Sequence, residues 1–341
     1  MVYFSACKEI YDPQLENGNK VLVVEALLTD VIESYHVKLS YSIPYNSSLT
    51  QYPVTGAQVY VQDHADNKIL SFIETGNGYY EFTPDSGTLG MIGHTYTLYI
   101  ETSEGDQFES FPETMSRTSL IDSVYGKRED RTILTESDDG SSQYKTQTYL
   151  NIIADVQGIG VVTPRIRFRA DWLYEMIDYH EGCMFNCPPP FYIWRYNKDV
   201  PQSLTEPTNN KVLREQLAGA ALIDYFQMLY DDQHLVYIVL VMNSYHLNDD
   251  SYAFYKDMKD QLSADNALFD PITTQIAGNI KCMSDPDRPV IGLFEVSMHE
   301  TGAYMVIPKQ LSVKKVKNFN GLPAELEGMT IGTTPDWWMV N

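Results

Sequence analysis

Cysteine and basic residues are both scarce in this sequence. Four cysteines in 341 residues are too few for the disulfide framework that holds small secreted domains together. Only 24 lysines and arginines stand against 46 acidic residues, and the formal net charge is −22. Such a charge is repelled by duplex nucleic acid and by anionic membrane surfaces, which argues against nucleic-acid binding. Apolar runs are also short, and none approaches the roughly 20 residues that a membrane-spanning helix needs.

Familiar catalytic motifs are missing as well. The sequence contains no G-x-S-x-G nucleophile elbow, no H-E-x-x-H motif, no Walker loop and no G-x-G-x-x-G fingerprint. We therefore predict a protein that is not an enzyme and has no cofactor. A hydrolase whose metal or carboxylate site is assembled from scattered residues is the minor alternative.

The pattern of apolar residues predicts a mainly β protein. Before residue 115, polar and apolar side chains alternate with the period of two that is typical of half-buried strands. Turn residues interrupt this pattern about every ten positions, which predicts a two-sheet β-sandwich over residues 20–115. The seven expected strands lie near 20–29, 35–41, 57–61, 70–72, 80–82, 96–100 and 107–111.

Residues 116–341 are predicted to form a second β-rich α+β domain. Its expected strands are Tyr144–Val156, Pro164–Glu175, His234–Ser244, Val290–Ser297 and Ala303–Ile307. Most of the polar stretch Glu129–Gln143 is interpreted as a surface loop. Ala221–Leu229 fits a short helix or the first strand of a hairpin, and the apolar strand that follows favours the hairpin.

One clear helix is predicted near residues 249–263. Asn248 supplies an N-cap oxygen, and Asp249 and Asp250 lie in the first turn, where the helix dipole favours negative charge. The residues that recur at helical spacing on one face are Tyr252, Tyr255, Met258 or Lys259, and Leu262.

Two groups of polar side chains were considered as metal sites. His180, Cys183 and Cys187 form H-x-x-C-x-x-x-C, but zinc usually takes four ligands and the paired C-x-x-C spacing is absent. A disulfide between Cys183 and Cys187 is favoured if the protein lies outside the cytoplasm. The pairing state of Cys282 stays open.

The second group, Asp63, His64 and Asp66, falls in a predicted turn, where polar residues are common. No metal site is predicted in either group.

The N-terminal segment Phe4-Ser5-Ala6-Cys7 matches the end of a bacterial lipoprotein signal. Such signals have a charged start and roughly seven to fifteen apolar residues before the cleavage site. Here only six residues precede Cys7, and none of them is basic.

Several longer motifs occur in a fixed order along the chain. In the first half these are Leu22–Asp30 (LVVEALLTD), Val54–Val61 (VTGAQVYV), Gly78–Phe82 (GYYEF), Gly93–Ile100 (GHTYTLYI) and Ile121-Asp122. In the second half they are Ser244–Leu247, Tyr252–Leu262, Leu268–Pro271, Gly278–Ile280, Asp285-Pro286 and Gly292–Phe294. With these motifs the chain resembles a family of uncharacterised Bacteroidota outer-membrane surface lipoproteins, a domain of unknown function (DUF4249-like).

The resemblance implies an Ig-like or transthyretin-like N-terminal sandwich and a lipid anchor on the extracellular face of the outer membrane. Together with the short signal-like segment, this resemblance makes Cys7 the predicted lipid attachment site. Residues 1–19 become a leader remnant and tether, with the true start expected upstream of Met1.

The resemblance also implies a function. We expect a non-enzymatic accessory or binding subunit of a TonB-dependent β-barrel transporter or a related outer-membrane assembly. The alternative is a stand-alone surface lipoprotein that binds carbohydrate or peptide through exposed aromatic residues such as Tyr99 and Tyr192.

Overall fold

The computed structural model describes residues 20–42, 52–84, 90–136, 141–160, 162–178, 191–197, 203–206, 209–222, 235–264, 276–307, 312–317 and 329–331. Within them the chain forms 19 strands and one helix, which confirms the predicted mainly β class with a single clear helix. That helix is neither long enough nor apolar enough to cross a membrane.

The elements follow one another along the chain in two groups. The first is β1 (Leu22–Thr29), β2 (Tyr35–Tyr41), β3 (Gln58–Asp63), β4 (Lys68–Gly76), β5 (Tyr79–Phe82), β6 (Thr95–Glu101), β7 (Gln107–Ser110) and β8 (Glu113–Thr114). The second is β9 (Ser119–Glu136), β10 (Ser142–Gly158), β11 (Ile166–Asp178), β12 (Phe191–Asn197), β13 (Ser203–Leu204), β14 (Val212–Leu222), β15 (Leu235–His246), α1 (Asp249–Ala264), β16 (Ile280–Cys282), β17 (Val290–Ile307), β18 (Ser312–Lys315) and β19 (Met329–Ile331).

The first sandwich contains all seven strands that the alternation predicted within residues 20–115. One sheet runs β17-β1-β2-β5 and the other β3-β6-β7-β16, while β4 pairs with both β3 and β5 and so joins them. Large side chains that alternate inward fill the space between the sheets, and burial of each contributes about 1.5–3 kcal/mol. The core includes Leu22, Val24, Tyr35, Leu39, Val61, Leu70, Tyr80, Tyr96, Leu98, Phe108 and Phe294.

A second sandwich forms from the remaining strands. The three-stranded sheet β14-β10-β9 packs over the sheet β17-β15-β11-β12-β19. Its core includes Leu150, Ile152, Val156, Ile166, Phe168, Trp172, Leu213, Ile238, Leu240, Met242 and Val306. On β11 the apolar residues Ile166, Phe168 and Ala170 face this core, so the alternating arginines face the opposite side of the sheet.

Strand β17 belongs to both sandwiches. Two strands, Val290–Ser297 and Ala303–Ile307, were expected there, and the structure has one continuous strand of 18 residues instead. Its first half pairs in parallel with β1, and its second half pairs in antiparallel with β15. Strand β15 pairs with the polar stretch between the two expected strands, so no turn is needed. The first core therefore takes residues from both sides of the predicted boundary at residue 115.

The expectation of a surface loop at Glu129–Gln143 is wrong for the residues that the structure describes. Strand β9 continues to Glu136 and pairs with β10 from Ser142 onward. The polar sequence gave no alternation because this part of the hairpin meets solvent on both faces. Cross-strand hydrogen bonds and ion pairs support it instead of a core.

Helix α1 confirms the predicted helix and its cap. The backbone N–H of Ser251 donates to Oδ1 of Asn248 at 2.8 Å. Strand β14 was not anticipated; its last two residues, Ala221 and Leu222, begin the ambiguous segment. The rest of that segment lies outside the described residues.

Candidate functional site

The predicted site residues near the N-terminus and in the cysteine-rich loop cannot be placed. Cys7, Cys183 and Cys187 lie outside the described residues, so lipid attachment and the disulfide stay predictions. Cys282 is a buried free thiol, 3.3 Å from the hydroxyl of Ser284. Tyr99 lies half-buried on the outer face of the first sandwich.

The face of β11, β15 and β17 that lies away from the second core carries charged and polar residues, and Tyr255 of α1 packs against them. We call them the buried charge cluster, and its members are Arg167, Arg169, Asp171, Asn243, Tyr245, Tyr255, Glu295, Ser297 and His299. Strand register explains the grouping, because Arg167 lies opposite Tyr245 and Tyr245 lies opposite His299.

An arginine–glutamate pair forms the centre of the cluster. Nη2 of Arg167 lies 3.0 and 2.9 Å from the two carboxylate oxygens of Glu295, and the residues are only 5% and 2% exposed. The guanidinium lies between two aromatic rings, 4.1 Å from the centre of Tyr245 and 4.6 Å from that of Tyr255. Tyr255 and Ser297 donate further hydrogen bonds to Glu295 at 2.6 and 2.8 Å.

The outer part of the cluster contains His299. Its ring stacks on Tyr245 with centroids 4.7 Å apart, and its Nε2 lies 3.0 Å from Oδ1 of Asn243. Burial lowers the pKa of His299 to about 4, so this imidazole is neutral at physiological pH. Asn243 donates to Asp171, which also pairs with Arg169 at 3.1 Å.

The buried charge cluster has the character of a structural network. Each charge in its centre contacts an opposite charge, a hydroxyl or an aromatic ring, and Arg167 is buried beneath Tyr255 of α1. Burying an ion pair is tolerated when its remaining hydrogen bonds are satisfied, as they are around Glu295. The cluster fixes α1 and β17 to the sheet.

A second buried carboxylate, Glu113, connects the first sandwich to α1. It accepts hydrogen bonds from the side-chain amides of Asn279, at 2.7 Å, and of Asn248, the N-cap of α1. Burial, and secondarily the nearby charges of Asp250 and Glu295, raise the pKa of Glu113 to about 7. A proton at this position therefore exchanges near neutral pH.

A third group lies at one end of the first sandwich. Asp63 ends β3, Asp66 lies in the β3–β4 turn and His94 precedes β6, with one ligand atom from each within 4.8 Å of the others. Nδ1 of His94 is 2.8 Å from Oδ2 of Asp63. The sequence placed His64 with the two aspartates, but Nε2 of His64 is instead 2.8 Å from the hydroxyl of Thr97.

A pair of exposed large side chains lies on the β9–β10 hairpin. We call residues 130–136 and 142–148 the arm, because β10 pairs with β14 only from Tyr149 onward. At about 3.4 Å per residue the arm extends some 24 Å beyond the three-stranded part of the sheet. Leu134 and Tyr144 face each other across its strands, and they are 59% and 78% exposed.

Comparison with known protein families identifies the family of this chain. A family model described as "Domain of unknown function (DUF4249)" matches residues 8–302. The chain belongs to this family. The match confirms the DUF4249-like family that the ordered motifs indicated. No curated protein matches the chain.

In this DUF4249 chain, sequence analysis missed the residues that tertiary contacts bring together. Arg167 and Glu295 are separated by 128 positions, and Asp63 and His94 by 31. One signal was available for the first pair: the arginines on β11 alternate with core residues in a strand flanked by apolar segments. For the second pair, nothing local distinguished His94 from His64.

Proposed function

We propose that this protein is a non-enzymatic, lipid-anchored protein on the extracellular face of the outer membrane. In this proposal it is an accessory or binding subunit of a TonB-dependent β-barrel transporter or a related assembly. The lipid is attached at Cys7, and the arm makes the contact with the partner.

The arm is the observation that carries the proposal. A two-stranded hairpin without a core behind it is at best marginally stable alone. The exposed pair Leu134–Tyr144 contributes nothing to either core, yet large apolar and aromatic side chains are the residues that anchor protein interfaces. A protein surface that buries this pair would stabilise the arm and supply the missing packing.

The membrane anchor rests on the N-terminal segment. Phe4-Ser5-Ala6-Cys7 has the form of a lipoprotein cleavage site, and the family match begins at the residue after Cys7. One acyl chain alone binds membranes only marginally, so the multiply acylated cysteine of bacterial lipoproteins is the anchor that fits.

Purification from native membranes in mild detergent tests the partner. We expect an outer-membrane barrel to co-purify with the natural protein and to be lost from the double variant L134S/Y144S. The matched control is I69S/I73S, which removes two residues that are 61% and 74% exposed on β4 of the first sandwich and should keep the partner. The proposal is contradicted if no barrel protein co-purifies, or if both double variants recover equal amounts of it.

A second candidate function, binding of a glycan or peptide without a barrel partner, is favoured by a different surface. On the outer face of the first sandwich, Tyr60 and Tyr99 stack with ring centroids 4.9 Å apart, and Ile69 and Ile73 are exposed on the neighbouring strand. Aromatic rings on a sheet face favour sugar contacts.

A glycan array separates the two candidates. Binding that is abolished by Y99A and unchanged by L134S/Y144S would support stand-alone recognition on this face. An array without signal removes this support for stand-alone recognition and favours the arm with its barrel partner.

A further inference from the structure

Three chain segments converge at the end of the first sandwich where Asp63, Asp66 and His94 meet. Asp63 is the last residue of β3, Asp66 belongs to the turn that leads into β4, and His94 directly precedes β6. Because β3 pairs with both β4 and β6, this end of the sheet brings the three side chains together.

The local structure fixes two of the three side chains. Asp63 is buried, and its Oδ1 accepts the backbone N–H of Ala65 at 3.0 Å. Its other oxygen, Oδ2, is thereby directed at Nδ1 of His94. The backbone of His94 is held by hydrogen bonds to Met91 and Met115. Asp66 is exposed and free to adjust its side chain.

From this geometry we propose that Asp63, Asp66 and His94 form a binding site for a divalent transition-metal ion, of which Zn²⁺ is the best match. One imidazole and two carboxylates are ligands that Zn²⁺ uses, at about 2.0–2.2 Å, and three protein ligands leave a fourth position for water. A calcium site would use oxygen ligands alone, so the imidazole argues for a transition metal.

The required movement is small. Two ligands bound to one ion at these bond lengths lie about 3.4 Å apart at the tetrahedral angle. The atoms already lie within 4.8 Å of one another, so rotation of the exposed Asp66 side chain closes the site.

The charges around His94 favour a cation. Nδ1 of His94 lies 2.8 Å from the carboxylate of Asp63, and Asp66 brings a second negative charge to the same group. A metal ion would take the place of the proton between His94 and Asp63. It would also link the β3–β4 turn to the start of β6, so the role that the geometry favours is structural.

Zinc binding by the metal-stripped full chain tests the proposal. Calorimetric titration with Zn²⁺ should give one bound ion per chain. The variants D66N and H94Q should each lower the zinc affinity at least about tenfold. The matched control is H64Q, which removes the imidazole of the residue next to Asp63. That imidazole contacts the hydroxyl of Thr97 and is not one of the three proposed ligands, so H64Q should bind zinc normally. Because Asp66 is exposed, D66N keeps the fold, and circular dichroism verifies this for every variant.

A second measurement identifies the ligand directly. Nitrogen NMR of the imidazole rings should show that one equivalent of Zn²⁺ shifts the signals of His94 and leaves those of His64 unchanged. The proposal is overturned if zinc binds D66N and H94Q as tightly as it binds the natural protein. It is also overturned if zinc shifts the NMR signals of other histidines only. The absence of binding at millimolar zinc overturns it as well.

Discussion

Gly292 of β17 and Val24 of β1 approach so closely that a Cβ atom on Gly292 would lie 1.9 Å from the carbonyl oxygen of Val24. The two residues are partners in the parallel pairing of these strands. Gly292 also has a φ of +113°, a backbone conformation that side chains disfavour. Two independent requirements therefore select glycine at this position.

The variant G292A should consequently be much less stable than a variant with backbone strain alone. Gly76 provides the control, because its φ is +114° and no atom lies within 4 Å of the position of its missing Cβ. We expect G76A to cost about 1–2 kcal/mol and G292A at least about 2 kcal/mol more. Urea denaturation measures both, and equal losses would show that the close approach to Val24 is easily relaxed.

The pKa of Glu113 predicts a pH dependence of stability. The folded protein binds this proton more tightly than the unfolded chain does, because the pKa of Glu113 is raised from 4.5 to about 7. The free energy of unfolding should therefore fall as pH rises from about 4.5 to 7, with a contribution on the order of 3 kcal/mol.

The variant E113Q should remove that contribution, because glutamine stays neutral throughout this pH range. Denaturation of the natural protein and of E113Q at several pH values between 4.5 and 8 gives the difference between their free energies of unfolding. The contributions of all other titrating groups cancel in this difference, because both proteins share them. A difference that does not change with pH would mean that Glu113 titrates normally.

The pair Arg167–Glu295 should be far more costly to break than an exposed ion pair. The variant R167M leaves the carboxylate of Glu295 buried without its cation, and we expect a loss of about 3–5 kcal/mol. The control K127M breaks the exposed pair with Glu215, which has a similar distance of 2.8 Å, and should cost less than about 1 kcal/mol.

A double variant completes this experiment. In R167M/E295Q neither charge remains, so the loss should be smaller than the sum of the two single losses. Strict additivity would mean that the two residues act on stability independently.

Asn248 should have two separable contributions. Its Oδ1 caps α1 through Ser251, and its amide nitrogen donates to Glu113. N248A loses both and should cost about 1–2 kcal/mol, whereas N248S keeps a capping oxygen and should lose less. Hydrogen exchange of the first-turn amides of α1 distinguishes them: those amides should exchange faster in N248A than in N248S.

The elements that face a single core could be predicted from the sequence. Strands such as β2 alternate strictly because one face is buried, and α1 carries its own N-cap and acidic first turn. The arm lacked this signal because solvent covers both of its faces. Continuity of β17 through Met298–Gly302 could not be predicted either, because partners on β15, distant in sequence, supply its hydrogen bonds.

The candidate sites were harder to predict than the fold for the same reason. Each depends on residues that only the folded sheet brings together, such as Arg167 with Glu295, or Asp63 with His94. Residue types and local spacing identified the polar turn at Asp63, but they selected the neighbouring histidine instead of the one across the sheet.

The continuity of β17 bears on how the molecule opens. A single backbone segment is the partner of β1 at one end and of β15 at the other, so detaching it exposes apolar surface in both sandwiches at once. The two sandwiches should then lose their slowest-exchanging amides in one cooperative event. A pulling force applied to β1 would reach the second sandwich along this strand, and resistance to extension would be a property of both sandwiches together.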